Sequence, residues 1–309
     1  MAGEGARTVK RVLALVISLA LLGWLAASGN WRDVGARLAA IPPTTLLAAL
    51  GGFLLSYLLR AARIRDEFAD VARGHFWAMA RVTTAHNAAI NVVPFRGGEI
   101  ALPVLLQREF GVPMGRALVS LLWLRMQDAF VVMLLAAWVW PGLPLWLRSL
   151  WSLGVLFAAW AIPAWARSHP VGAEAPAGWQ GKLFKVRAAL AHSTRGAVKS
   201  WAWTLSNWIV KLTAQTLLLG ALIGQAGLLA SAGVLGGELA AILPVQGVAG
   251  FGTYEAGVAA ALTPHGITLA SGLQAALALH LVIIAAAVSA GALAFVALPA
   301  GPKAKGNTP

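Results

Sequence analysis

The apolar sequence of this chain is interrupted twice by proline and glycine, and each interruption ends in a carboxylate. The first, 94–99, reads Pro-Phe-Arg-Gly-Gly-Glu, and the second runs from Pro244 through glycine-rich sequence to Glu255. At membrane depth, backbone leaves helical geometry only where it is buried in protein or lines a watery cavity. Paired interruptions in the two halves of a chain are typical of a transporter site. The sequence therefore predicts a functional site at these two places.

The composition indicates an all-α integral membrane protein. Of 309 residues, 59% are hydrophobic and 11% are charged, and several apolar runs are long enough to cross a bilayer. The net charge of +13 fits membrane topology better than nucleic-acid binding, because the basic residues do not lie on a soluble domain. There is no cysteine, which excludes disulfides and thiolate metal sites. No cofactor or nucleotide motif is recognised, so an ion gradient or the lipid gradient would drive any transport.

Apolar runs bounded by polar residues predict six full spans, near 12–28, 44–62, 117–140, 146–166, 201–224 and 270–298. Two further apolar stretches, 78–107 and 228–262, contain the interruptions. The first run follows three basic residues and ends in small residues, so a cleaved signal peptide is the alternative to a first helix.

The distribution of basic residues predicts how the chain crosses the membrane. If the N-terminus is cytoplasmic and each interrupted stretch returns to the side it entered from, 18 of the 24 Lys and Arg residues are cytoplasmic, Arg60 and Arg63 among them. Three fall outside and three within the membrane. A single crossing by either stretch would put the basic loop 167–199 or the C-terminal lysines on the wrong face. The positive-inside rule therefore favours two re-entrant hairpins and cytoplasmic termini.

The hairpins are expected to enter from opposite faces, 78–107 from the cytoplasm and 228–262 from outside, which makes an inverted repeat. The linker between the halves either lies on an anionic leaflet or is a solvated basic loop. The predicted organisation is a first half at 1–166, a basic cytoplasmic linker at 167–200, a second half at 201–300 and a cytoplasmic tail at 301–309.

A short internal match supports the repeat. Residues 110–118 resemble 265–273 at an offset of 155. The same offset aligns Arg125 with His280, and Glu99 with the residue before Glu255. The match lies in sequence rich in Gly, Ala and Leu, so coincidence is the alternative.

Ionisable side chains at membrane depth cost about 2.5–3.5 kcal/mol each on insertion scales, and are retained mainly where they are paired or used. Arg125 and Asp128 are three residues apart on one helical face, so they either neutralise each other or serve a site. Glu99 either caps its own helix or pairs with Arg96, or it holds Arg96 while that residue and free amides bind an anionic headgroup. Glu99 could also carry a proton.

Two polar stripes at helical spacing predict wet helix faces, with helix–helix packing as the alternative. They are Thr83, Asn87 and Asn91, and Ser200, Thr204, Asn207, Lys211 and Gln215. The residues expected to bind substrate are Arg96, Gly97, Gly98, Glu99, Arg125, Asp128, Asn207, Lys211, Glu238 and Glu255, with Asn87, Asn91 and His280 as secondary candidates. No catalytic or metal-binding residue is predicted.

Three motifs resemble a known family. They are Asn91-x-x-Pro-x-Arg-Gly-Gly-Glu99, Arg125-x-x-Asp128, and the glycine-rich stretch from Leu243-Pro244 to Glu255. Over essentially the whole chain the sequence resembles the lysylphosphatidylglycerol synthase/flippase transmembrane family. The resemblance implies a polytopic protein of the bacterial inner membrane that moves lipid between leaflets. The soluble aminoacyltransferase domain of bifunctional members is absent, so lipid lysylation is not implied. The second motif lacks the paired glycines and basic residue common before the Glu, so substrate detail does not transfer.

The sequence predicts a lipid flippase or lipid-handling transporter and not an enzyme. Its substrate would be an anionic phospholipid, glycolipid or polyprenyl-type lipid, and no nucleic acid is expected as a partner. The alternatives are an intramembrane transferase for a lipid-linked substrate and a non-transporting scaffold of a lipid-biosynthetic complex. A second copy of the chain and a lipid-biosynthetic enzyme both stay open as protein partners.

Overall fold

The computed structural model describes residues 31–93, 97–168, 178–194, 197–242 and 248–302. Within these ranges the regular structure is entirely helical, as predicted. The α-helices in chain order are α1 (Trp31–Ala39), α2 (Pro43–Glu67), α3 (Ala69–Ala72), α4 (Phe76–Val92), α5 (Ala101–Phe110), α6 (Met114–Val139), α7 (Leu145–Arg167), α8 (Gly178–Ser193), α9 (Ala197–Ile223), α10 (Leu228–Ile242), α11 (Thr253–Leu262) and α12 (Leu269–Ala297).

Four helices are long and apolar enough to cross a membrane: α2, α6, α7 and α12. At about 1.5 Å per residue their 23 to 29 residues give lengths of roughly 35–44 Å, which exceeds the ~30 Å hydrocarbon thickness. They coincide with the predicted spans 44–62, 117–140, 146–166 and 270–298. The chain is therefore an integral membrane protein, by the length and composition of its helices.

The other two predicted spans have different outcomes. Residues 201–224 fall in α9, which contributes a fifth candidate span only together with α10, from which it is bent by 115°. Residues 12–28 lie outside the described part of the chain.

The first interrupted stretch forms a helical hairpin. The α4 helix is followed, after residues 94–96, by a 3-10 turn at Gly97–Ile100 and by α5, which packs back against α4. Gly98 lies directly on the backbone of Ala89 and Ile90, so a Cβ at this position would overlap the Ala89 carbonyl. Only glycine permits this approach without movement of the backbone.

The second interrupted stretch also doubles back, with α11 packed along α10. Gly236 and Gly257 face each other so closely that a Cβ on either would overlap the other's carbonyl oxygen. The next residue, Gly237, packs against the ring of Tyr254. Small residues at such a crossing allow helix backbones to come into contact.

The two halves of the chain are packed into each other. Gly291 of α12 lies against Ala88 and Thr84 of the first hairpin, and Gly52 of α2 lies against Ala214 of α9. The segment after α12 also returns to the first hairpin, where Gly301 N donates to Glu109 Oε2 at 2.6 Å. Helices from both halves therefore surround the space between the hairpins.

Candidate functional site

A cavity of about 260 Å³ lies in this space, and we call it the central cavity. Its wall is built from α2, α4, α6, α9, α10 and α12 together with residues of both interruptions. Nine of the residues selected from the sequence contribute to the wall: Asn87, Asn91, Glu99, Arg125, Asp128, Asn207, Lys211, Glu238 and His280. Gly97, Gly98 and Glu255 do not line it, and Arg96 lies outside the described residues.

Glu99 enters the cavity from the turn that begins the returning arm of the first hairpin. Arg125 Nη2 donates to its carboxylate at 2.9 Å, and His86 Nε2 lies 3.6 Å from the same group. The side chain of Glu99 does not cap α5, whose first turn has no side-chain cap. The predicted pairing with Arg96 is untested, because Arg96 is not among the described residues.

Asp128 has a partner that the sequence analysis did not identify. Arg63 Nη1 donates to Asp128 Oδ1 at 2.6 Å, whereas the contact from Arg125 to Asp128 is 3.5 Å long. Arg63 is 4% exposed and also donates to the carbonyl of Leu124. Arg63 is therefore buried in the protein and was not foreseen as a partner of Asp128. Mutual neutralisation of Arg125 and Asp128 accounts for only the longest of these contacts.

Lys211 and Glu238 form a third ion pair, with Lys211 Nζ 2.7 Å from Glu238 Oε1. Gln215 donates to the same oxygen at 2.7 Å. This end of the α9 polar stripe faces the cavity. The other end connects helices, since Ser200 donates to Gln127 of α6. The stripe therefore lines the cavity at one end and joins two helices at the other.

Glu255 lies behind the wall, at the start of α11. One of its oxygens accepts from Gly252 N at 2.7 Å, which caps the helix, and the other is 2.7 Å from His280 Nδ1. Gly252 has φ of 82°, a left-handed conformation that suits glycine. Glu255 is 5% exposed and does not line the cavity, whereas its partner His280 does.

Comparison with known proteins identifies the family of the chain. A family model described as lysylphosphatidylglycerol synthase TM region matches residues 11–291. The chain belongs to that family. No curated protein and no solved structure matches the chain. Membership indicates a lipid-related function in a membrane, and confirms the resemblance inferred from the motifs.

Arg60 is a cavity residue that the sequence analysis did not select for the site. It was counted with the cytoplasmic basic residues, and in the structure it lines the central cavity. Among the described residues it has no hydrogen bond and no carboxylate at ion-pair distance. The signal was its spacing from Ser56 and Tyr57, which puts all three on one helical face, and both of these line the cavity as well.

Together with Arg63, which does not itself line the cavity, the wall has four Arg and Lys side chains and three carboxylates among the described residues. Each of its three carboxylates has a basic partner: Arg125 for Glu99, Arg63 for Asp128 and Lys211 for Glu238. Arg60 is the cation that remains. The hydroxyl of Tyr254, which also lines the cavity, is buried without a hydrogen-bond partner in the described residues. Buried polar groups of this kind are normally satisfied, so the cavity suits an anionic ligand with hydrogen-bonding capacity.

Proposed function

We propose that the chain is a flippase that moves an anionic lipid between the leaflets of the bacterial inner membrane. The observation that carries the proposal is Arg60, a cation without a partner in a cavity whose three carboxylates are all paired. An anionic headgroup would bind Arg60 and leave the three ion pairs in place, while the acyl chains stay in the bilayer. This is transport without covalent chemistry, so the ion pairs position groups and do not catalyse a reaction.

The proposal includes the membrane topology. We propose six full spans, with 12–28 as the first, two re-entrant hairpins and cytoplasmic termini. Helices α10 and α11 have 15 and 10 residues, or roughly 23 and 15 Å, too short to cross ~30 Å of hydrocarbon. Removing Arg60 and Arg63 from the cytoplasmic set leaves 16 basic residues there, against three outside. The positive-inside argument is therefore retained.

The proposed inverted repeat is supported by the contacts of the two interruptions. The offset that aligns Arg125 with His280 also aligns Glu99 with the residue before Glu255. In the first half Glu99 and Arg125 are 2.9 Å apart, and in the second half Glu255, one residue past the aligned position, lies 2.7 Å from His280. A binding site between two such repeats is typical of transporters that open alternately to the two sides.

The test is lipid translocation in vesicles that contain the purified protein. Phosphatidylglycerol, phosphatidic acid and a polyprenyl phosphate, each with a fluorophore on the tail, are incorporated, and a membrane-impermeant reductant bleaches the outer leaflet. Wild-type protein is expected to expose the inner-leaflet pool of at least one probe. Arg60→Gln should slow this at least about tenfold, since a hydrogen bond to a charged group contributes ~1.5–3 kcal/mol.

Two further variants sharpen the result. Arg60→Lys should keep part of the activity, because lysine retains the charge but not the planar fork that binds phosphate in a bidentate manner. Arg108→Gln removes an exposed arginine far from the cavity and should behave as wild type. Translocation of no probe by the wild type, or full activity in Arg60→Gln, would refute the proposal.

A further inference from the structure

A second pocket lies where α2 ends and α9 begins, and we call it the α2–α9 pocket. Its volume is about 380 Å³, and it is lined by Arg65, Asp66, Ala69, Arg73, Gly74 and Lys199. It shares no lining residue with the central cavity. Three of these side chains are cations and one is a carboxylate, so the pocket is strongly positive.

The carboxylates near this pocket are already bound to other groups. Asp66 accepts hydrogen bonds from Arg65 at 2.8 Å and from Trp203 Nε1 at 2.9 Å. Asp70 accepts two from Arg116, at 2.6 and 2.8 Å. These bonds hold the pKa of Asp70 below its usual range, so its charge is present and is neutralised by Arg116. Neither carboxylate forms an ion pair with the remaining basic residues of the pocket.

Arg73 and Lys199 are those basic residues. Both are exposed, and neither forms a hydrogen bond or an ion pair with any residue that the structure describes. Lys199 lies in the first turn of α9, which has no acidic residue. The N-terminal end of a helix carries partial positive charge and disfavours a cation. An anion in the pocket would relieve this repulsion and bind both side chains.

The aromatic residues around the pocket indicate its depth. Trp203, one turn after Lys199, donates to Asp66 in the pocket wall, and Trp77, close to Gly74 in sequence, is 53% exposed. Tryptophan is enriched at the level of the lipid headgroups. A group that binds here would therefore lie at the membrane surface.

We infer that the α2–α9 pocket binds the phosphate group of an anionic membrane lipid. Arginine and lysine are the side chains that bind phosphate, arginine through its fork and lysine as a point charge. Clusters of basic residues next to a membrane helix recognise anionic headgroups. The inference does not depend on transport, because the pocket and the central cavity have no residue in common.

The absence of cysteine from the sequence permits a local measurement. Ala69→Cys, labelled with a small environment-sensitive fluorophore, puts a reporter in the pocket wall. The full-length protein in detergent is titrated with dihexanoyl phosphatidylglycerol, with dihexanoyl phosphatidylcholine and with inorganic phosphate. We expect a saturable change with phosphatidylglycerol and none with phosphatidylcholine, which has the same tails. Inorganic phosphate should bind at least tenfold more weakly.

Variants in the same labelled background locate the site. Arg73→Gln combined with Lys199→Gln should weaken phosphatidylglycerol binding at least tenfold. Arg60→Gln and Arg108→Gln should leave it unchanged, and this separates the pocket from the central cavity. Native mass spectrometry of the unlabelled protein should show one fewer bound phosphatidylglycerol in the double variant.

Three results would overturn the inference. The first is the absence of a saturable change with phosphatidylglycerol, together with an unchanged lipid count in the double variant. The second is an equal response to phosphatidylglycerol and phosphatidylcholine. The third is inorganic phosphate binding as tightly as phosphatidylglycerol. The last would indicate a site for a soluble anion.

Discussion

The two hairpins share one layout but orient their carboxylates differently. In each, the acidic residue at the start of the returning arm pairs with a base on the next long helix. Glu99 extends from its turn into the central cavity and pairs with Arg125. Glu255 turns back to its own helix, where it accepts the Gly252 amide and contacts His280. The first carboxylate faces the cavity, and the second is enclosed by its own hairpin.

The difference gives the two halves different roles toward a ligand. Arginine keeps its charge at every physiological pH. The first half therefore offers its carboxylate–arginine pair to a ligand in the cavity, whereas the carboxylate of the second half does not line the cavity. We therefore expect a ligand to be bound mainly through the first hairpin in the conformation described.

The largest expected effect comes from removing the charge of the exposed carboxylate. Glu99→Gln should lower translocation about a hundredfold, because truncating a charged hydrogen-bonded pair costs ~2–5 kcal/mol. The measurement is the vesicle assay at matched protein content. Glu109→Gln, which alters a carboxylate of the same hairpin outside the cavity, is the control. Normal translocation by Glu99→Gln would mean that the carboxylate of the first hairpin does not serve the ligand, and that the two hairpins do not differ in this respect.

The next prediction tests what the hairpins have in common. Gly98→Ala and Gly236→Ala should each destabilise the protein by about 1–3 kcal/mol, because the added methyl overlaps a backbone carbonyl that cannot move freely. Thermal unfolding in detergent measures this. Gly154→Ala is the control, since its Cβ would have no atom within 4 Å. Destabilisation in one hairpin alone would mean that the two crossings are not equivalent.

The glycine and proline interruptions predicted where the two stretches double back, and whether the hairpins are re-entrant stays a prediction. Close backbone contact leaves a local signal, because it requires residues such as Gly98 and Gly236. Nine of the predicted site residues also meet at one cavity. Their place in a polar site could be inferred from the sequence, because a charged residue in an apolar run requires polar surroundings.

The pairing of these charges could not be predicted. Asp128 was considered with its sequence neighbour Arg125, but its short contact is with Arg63 of another helix. Arg60 was counted with the cytoplasmic basic residues and was not selected for the site. In the structure α2 continues to Glu67 and keeps Arg60 on the face that carries Ser56. Partner choice depends on how helices pack, and no single segment contains that information.

A smaller effect is expected from the enclosed carboxylate. Glu255→Gln keeps an oxygen to accept the Gly252 amide, so we expect a stability loss of about 1 kcal/mol, as for other helix caps. Translocation should fall less than tenfold. The measurements are thermal unfolding and the vesicle assay, in parallel with Glu99→Gln. If the two variants lose activity equally, both carboxylates contact the substrate and the site is symmetric, as the repeat alone would suggest.

The smallest effect concerns the two histidines. His280 Nδ1 lies 2.7 Å from Glu255, and His86 Nε2 lies 3.6 Å from Glu99. His280→Gln should leave translocation within about threefold of wild type, because a neutral amide can still hydrogen-bond to Glu255, which does not line the cavity. His86→Gln, the matched variant of the first hairpin, should lower translocation more, because its neighbour Glu99 faces the ligand. Both variants are measured in the vesicle assay at matched protein content. If His280→Gln has the larger effect, the second pair also serves the ligand, and the division of roles between the halves is wrong.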